Sequence, residues 1–125
     1  MEKEKVINRL EHFGYKCEDS DSNALDFTIV KTENHIFNMT NCKEIPEELL
    51  EMAIDMACAE FLKMKKAFGQ LGNMDIEQFA KSISMGDVSI SISDDMSPDK
   101  KFDTIIEYML TGNEDDIIRH RRMVW

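Results

Sequence analysis

Apolar residues recur at helical spacing through the middle of the chain, between Ile45 and Gly69. They form two stripes, which predicts a long helix that other elements cover on more than one side. Pro46 suits the first turn and Gly69 suits the left-handed stop after the last turn. At about 1.5 Å per residue, this segment predicts a central rod roughly 35 Å long. The stripes are Leu50, Ile54, Ala57, Cys58, Phe61 and Phe68 on one side, and Leu49, Met52, Met56 and Ala59 on the other.

The charges of this segment also favour a helix. Acidic residues lie at its positive dipole end and lysines at its negative end. They are Glu47, Glu48 and Glu51 at the start, and Lys63, Lys65 and Lys66 at the end.

Two shorter helices are predicted before the rod. Residues 2–13 have an amphipathic pattern that Gly14 ends, and residues 23–38 have a second one. The second helix has Ser20, Asp21 and Ser22 as possible caps, although residues 27–30 also favour a strand. The predicted inward residues are Val6, Leu10 and Phe13 in the first helix, and Leu25, Ile29, Thr32 and Ile36 in the second.

The pattern changes period after the rod. Residues 75–81 predict one or two helical turns with Ile76, Phe79 and Ala80 inward. Apolar and hydroxyl residues then alternate, which predicts a strand with one apolar face. This face consists of Val88, Ile90 and Ile92, while Ile83 and Met85 precede it and Gly86-Asp87 suits the turn of a hairpin.

The last predicted helix begins at Ser97-Pro98, where a capping hydroxyl precedes a proline in the first position. Its inward residues are Phe102, Ile105, Ile106 and Met109, and Gly112 helps to end it. A final short turn carries Ile117 and Ile118. The predicted fold is mainly α: a small helical bundle around one long central helix, with a short β-hairpin before the C-terminal helix. We expect one domain over residues 1–125.

Charge and cysteine content narrow the function classes. The formal net charge of −10 predicts repulsion from nucleic acid phosphates over most of the surface. Three widely spaced cysteines without a CxxC or Cys/His cluster argue against zinc and favour reduced thiols in a cytosolic protein. No apolar run approaches the length that spans a bilayer, so we expect no membrane association.

The C-terminal residues 119–125 combine Arg119, Arg121 and Arg122 with Trp125, in an otherwise acidic chain. Arginine and tryptophan are enriched at interface hot spots, so these residues indicate a docking tail that anchors in a partner protein. The alternative is a terminus that folds onto the chain's own acidic surface. Composition alone leaves both open.

The serine/isoleucine strand also has two interpretations. It is either an ordinary half-buried hairpin or an edge that pairs with a neighbouring subunit. Composition favours the first. A lone hairpin is marginal in water, so it must pack on the helices or on another chain.

Catalysis has little support in the sequence. The three histidines are scattered, no serine or cysteine lies in a nucleophile motif, and the glycines match no phosphate-binding pattern. The sequence therefore predicts a protein that is not an enzyme and that holds no cofactor or metal.

Four stretches, in this order, resemble the small head-tail connector proteins of tailed bacteriophages and prophages. The resemblance covers nearly the whole length, and its most characteristic stretch is KSISMGDVSIS at residues 81–91. The other three are the Ile45-Pro46-Glu47-Glu48-Leu49 helix start, the alanine-rich helix through Glu60-Phe61-Leu62, and the closing Arg121-Arg122-Met123-Val124-Trp125.

The resemblance implies a structural role in the neck of a virion, or of a phage-tail-like particle, after synthesis in the bacterial host cytoplasm. Such connectors are mainly helical, are not enzymes, and form rings of about a dozen copies. The ring joins the portal protein to a tail-completion or stopper protein, and DNA passes through its lumen without specific binding. The implied portal contacts are Arg119, Arg121, Arg122 and Trp125, and the implied subunit contacts are Gly86, Asp87, Val88, Ile90 and Ile92.

A second interpretation stays open. A cytosolic helical adaptor or regulatory protein unrelated to virions would have the same core and the same anchor-like tail.

Overall fold

The computed structural model describes residues 1–71, 74, 79, 97–112, 117 and 119. Within them the chain forms four α-helices, and 3₁₀ turns at Asp19–Asp21 and Glu47–Leu49 lead into the second and third helices. The predicted mainly helical fold class is therefore confirmed. The helices are α1 Lys3–His12, α2 Ser22–Thr40, α3 Leu50–Ala67 and α4 Pro98–Thr111.

Helix α3 is the element against which the other three described helices pack. Its buried residues occur on more than one side, which is the arrangement that the two apolar stripes predict. They are Ala53, Ile54, Met56, Ala57, Cys58, Ala59, Phe61 and Leu62.

The bounds of α3 differ from the predicted ones. Pro46 is extended (φ −55°, ψ 141°), and its carbonyl accepts the Leu49 N–H at 2.9 Å to close a 3₁₀ turn. The α-helix therefore begins at Leu50 and spans about 27 Å. Phe68, predicted on the inner stripe, is 70% exposed. Its predicted burial is wrong because the helix ends at Ala67 and the chain leaves it.

Helices α1 and α2 pack on α3 through most of the residues predicted to face inward. Val6, Leu10 and Phe13 are buried, and Gly14 with φ 99° turns the chain after α1. Residues 27–30 are helical, so the competing strand interpretation is wrong for them. Helix α2 continues to Thr40, two residues beyond its predicted end, and the left-handed Asn41 (φ 56°) terminates it.

Helix α4 has the predicted start. The Ser97 hydroxyl accepts the Lys100 N–H at 3.3 Å, and Pro98 occupies the first turn. Its predicted inward residues are all buried against α3: Phe102, Ile105, Ile106 and Met109.

Phe79 joins α4 to the end of α1. Its fully buried ring lies between Phe13 and Phe102, with ring centroids 5.4 and 5.5 Å away. Its predicted inward position is confirmed, whereas Ile76 and Ala80 lie outside the described residues. Ile83, Met85 and the predicted hairpin at 86–92 also lie outside them, so the hairpin stays a prediction.

A small second core contains Ile117, which is fully buried. It packs with Ile36 of α2 and with Ala53 and Met56 of α3. The chain after α4 therefore returns to the groove between these two helices.

We expect Ile117→Ala to lower the free energy of unfolding by about 2 to 4 kcal/mol, because it leaves a cavity in a closed cluster. Urea unfolding followed by circular dichroism measures this loss. Ile45→Ala is the matched control, since Ile45 lies partly exposed at the edge of the same cluster and should cost less. Equal losses for the two variants would contradict the assignment of Ile117 to this core.

Candidate functional site

The predicted docking tail is described only at its root. Ile117 is fully buried, and Arg119, two residues further along, is helical and exposed. Arg121, Arg122 and Trp125 lie outside the described residues, as do the predicted subunit contacts Gly86, Asp87, Val88, Ile90 and Ile92. The chain that leads to the tail is thus fixed to the core at Ile117. The predicted contacts of Arg119 and of the residues outside the described ones stay predictions.

A cleft of about 810 Å³ lies between the loop after α1 and the C-terminal end of α3. Most of its described lining residues are polar or charged. They are Gly14, Tyr15, Lys16, Glu18, Ser20, Asp21, Lys65, Gln70, Leu71 and Met74.

Asp21 lies in the wall of this cleft, is 2% exposed, and has both carboxylate oxygens occupied. Lys65 Nζ lies 2.5 Å from Oδ1. Oδ2 accepts hydrogen bonds from the Tyr15 hydroxyl at 2.9 Å and from the Glu18 backbone N–H at 3.0 Å. The Phe61 ring lies beneath this group, 5.4 Å from the Tyr15 ring centroid and 5.7 Å from Lys65 Nζ. These contacts attach the loop after α1 to α3.

The contacts around Asp21 determine the protonation states of Asp21 and Tyr15. Burial alone would raise the pKa of Asp21, but the hydrogen bonds from Glu18, Lys65 and Tyr15 outweigh it and hold that pKa below its ordinary value. Burial and the hydrogen bond to Asp21 raise the pKa of the Tyr15 phenol well above its ordinary value. Asp21 is thus ionised and Tyr15 protonated at neutral pH. An ionised carboxylate with both oxygens occupied is a poor proton acceptor, so the geometry favours a structural role over general base catalysis.

A second ionic group joins α1 to α3. Arg9 Nη1 donates to Asp55 Oδ1 at 2.7 Å, and Arg9 Nη2 donates to Glu51 Oε2. Burial raises the pKa of Asp55, although Arg9 opposes this shift. Because the guanidinium of Arg9 binds two carboxylates of α3, it fixes the orientation of α1 relative to α3.

The described residues contain no group of three or more His, Cys, Asp or Glu side chains placed to hold a metal ion. None of the three cysteines, Cys17, Cys42 and Cys58, is in a disulfide. Burial raises the pKa of Cys17 to about 11 and that of Cys58 above its ordinary value, so both are protonated at neutral pH and are poor nucleophiles. Among the described helices, none is long and apolar enough to cross a membrane.

The sequence did not identify the cluster of Tyr15, Asp21 and Lys65. It assigned Asp21 as a possible cap and Lys65 as a helix-end charge. Asp21 does precede α2, but its side chain does not cap that helix and binds Tyr15, Glu18 and Lys65 instead. Asp21 and Lys65 are 44 positions apart, so no local spacing could have revealed the pair.

Comparisons with protein-family models, with curated proteins and with solved structures found no match to this chain.

We expect Lys65→Met to lower the free energy of unfolding by about 2 to 3 kcal/mol, because it leaves Asp21 buried without its cation. Urea unfolding at neutral pH measures the change. Lys63→Met is the matched control on the same helix, since Lys63 is exposed, and it should stay within about 0.5 kcal/mol of the parent chain. Similar losses for both variants would show that the ion pair between Lys65 and Asp21 makes no specific contribution to the free energy of unfolding.

The stability difference between the parent chain and Asp21→Asn should depend on pH. The folded state holds the pKa of Asp21 below its ordinary value near 3.8, so the carboxylate's contribution is full above that value. It is lost as the pH falls through the folded pKa. Urea unfolding at several values from about pH 7 to about pH 3 should therefore show the difference shrinking only at the acidic end. A difference that stays constant over this range would contradict the ionised state of Asp21.

Proposed function

We propose that this chain is a structural head-tail connector of a tailed phage, a prophage or a phage-tail-like particle. Copies of the chain form a ring that joins the portal protein to the tail-completion or stopper protein and continues the DNA channel. The proposal includes no catalysis and no cofactor.

The observation that carries the proposal is the order of its parts along the chain. The connector-like helix start, long helix, serine/isoleucine segment and Arg/Trp ending occur in sequence over nearly the whole length. The described fold agrees with this order, because α3 occupies the centre of the bundle.

The root of the tail also supports a docking role. Ile117 is fully buried between α2 and α3, whereas Arg119 is exposed. A peptide that is fixed at its root loses less conformational freedom when it binds than one on a long linker. In the proposed connector, Arg119, Arg121, Arg122 and Trp125 contact the portal, and Gly86, Asp87, Val88, Ile90 and Ile92 contact the adjacent subunit.

The charge of the chain suits a channel wall. A formal net charge of −10 on each copy repels phosphate, so DNA can slide through a ring of such subunits without adhering. A single cationic tail per copy, directed at the portal, would leave this repulsion intact.

The test is electron microscopy of the purified chain, alone and mixed with the portal protein encoded in the same genome. We expect rings, or density added beneath the portal. The double variant Arg121→Glu/Arg122→Glu should reduce portal binding at least tenfold, because two interface cations become anions.

The matched control is Lys5→Glu/Lys43→Glu, which changes the net charge by the same amount at exposed positions of α1 and of the loop after α2. It should bind the portal as the parent chain does. An equal loss of portal binding in both double variants would mean that the tail acts only through the net charge of the chain. A parent chain that adds no density to the portal would overturn the connector proposal and favour the cytosolic adaptor.

A further inference from the structure

One line along the outward face of α2 carries no charged residue, in a chain in which 32% of residues are charged. The exposed Asp26 and Lys31 lie on either side of it. Two large apolar side chains on it are exposed to solvent, Phe27 at 65% and Val30 at 55%. Asn34 is exposed and Phe37 is partly exposed along the same line. An aromatic surface depleted of charge has the composition of the centre of a protein interface. We call Phe27, Val30, Asn34 and Phe37 the α2 stripe.

The charges that border the stripe are paired within the chain. Lys3 Nζ lies 3.0 Å from Asp26 Oδ1, the Met1 ammonium lies 3.1 Å from Glu33 Oε2, and Lys31 Nζ lies 3.1 Å from Glu60 Oε2. The stripe is therefore a neutral band on an acidic protein. Like-charge repulsion, which opposes contact between two copies elsewhere on the surface, is weak here.

The spacing of the stripe is the same in both directions. Its residues are separated by three, four and three positions, and Asn23 and Asn41 follow four positions beyond either end. Position 32 is the midpoint. Two copies that meet in antiparallel orientation about this midpoint place Phe27 opposite Phe37, and Val30 opposite Asn34, twice each. Asn23 then lies opposite Asn41.

We propose that the α2 stripe is the surface through which two copies of this chain pair, antiparallel, about a two-fold axis near position 32. The alternation of three and four averages 3.5 residues, which is the spacing that lets two helices pack side by side with interlocking side chains. A self-complementary patch is what a two-fold contact requires, because each copy presents the same surface.

The contact is modest in size. From Asn23 to Asn41 the stripe and its flanks extend about 27 Å, the length of one helix. A contact limited to one helix from each copy is small beside the interfaces of at least about 1,200 Å² that stable complexes form, so the pairing is weak and depends on concentration. It goes beyond the proposed connector function and does not rest on it, because a two-fold contact joins two copies and cannot alone close a ring.

The test is sedimentation equilibrium of the full chain over a wide concentration range. The average mass should rise from that of one chain toward that of two. Phe27→Glu should raise the dissociation constant at least tenfold, because a carboxylate is then buried against an aromatic ring. Phe68→Glu is the matched control: Phe68 is 70% exposed, lies outside the stripe, and undergoes the same chemical change. It should leave the dissociation constant within about twofold.

The antiparallel register has its own test. A chain carrying Phe27→Glu mixed with a chain carrying Phe37→Lys should form a mixed pair that is tighter than either variant forms with itself. In the antiparallel arrangement the new glutamate faces the new lysine once, and a native phenylalanine pair remains. A parallel pair would not bring these positions together. Circular dichroism of each variant checks that the helices are intact.

Three results would overturn the proposal. The first is a parent chain that stays monomeric at every concentration. This would mean that the stripe binds no second copy, either because it stays exposed to solvent or because another part of the same chain covers it. The second is pairing that Phe27→Glu and Phe68→Glu weaken equally. The third is a larger ring that Phe27→Glu reduces to single chains, which would make the stripe a head-to-tail contact.

Discussion

The enclosure of α3 by the other helices is the constraint on which the rest of the structure depends. Ala53, Ala57, Cys58 and Ala59 are fully buried and small. Small side chains let neighbouring backbones approach closely, toward the short end of the usual interaxial range of about 8 to 10 Å. α1, α2 and α4 can then share one central helix. The remaining space is filled by Phe61 and Leu62 of α3 and by the buried aromatic residues Phe13, Tyr15, Phe79 and Phe102. A larger residue at any of these alanines would force the helices apart.

Much of this architecture could be predicted from the periodicity of apolar residues. Leu10, Leu25, Ile54 and Ile105 all face the core because burial of an apolar stripe is the strongest local signal in a helix. The ends of the helices were less predictable. Phe68 continues the stripe in sequence, yet the helix stops one residue earlier, because the chain turns at Gly69 with φ 67°. Periodicity gives the face of a helix but not the residue at which it stops.

The cap of α4 at Ser97 is a local contact and could be predicted, but the polar contacts between elements distant in sequence could not. The carboxylate of Asp21 is surrounded by donors from the loop after α1 and from the far end of α3, which only the tertiary fold brings together. The same holds for Arg9, which reaches across to Glu51 and Asp55. In both groups a charged residue that looks ordinary in sequence fixes the relative positions of two elements. These groups stabilise the bundle, whereas the candidate interaction surfaces lie elsewhere: on the outer face of α2 and beyond Ile117.

The contact between Phe79 and Phe102 bears on how the chain tolerates changes in length. The ring of Phe79 lies 5.5 Å from that of Phe102, near the start of α4, so the chain between these two residues is closed into a loop whose ends are fixed in the core. The entropy of closing such a loop rises only with the logarithm of its length. Five inserted residues would cost about 0.2 kcal/mol, far less than the burial of one phenylalanine ring contributes. The number of residues between Phe79 and Phe102 can therefore change at little cost in closure entropy while the contact between the two rings is kept.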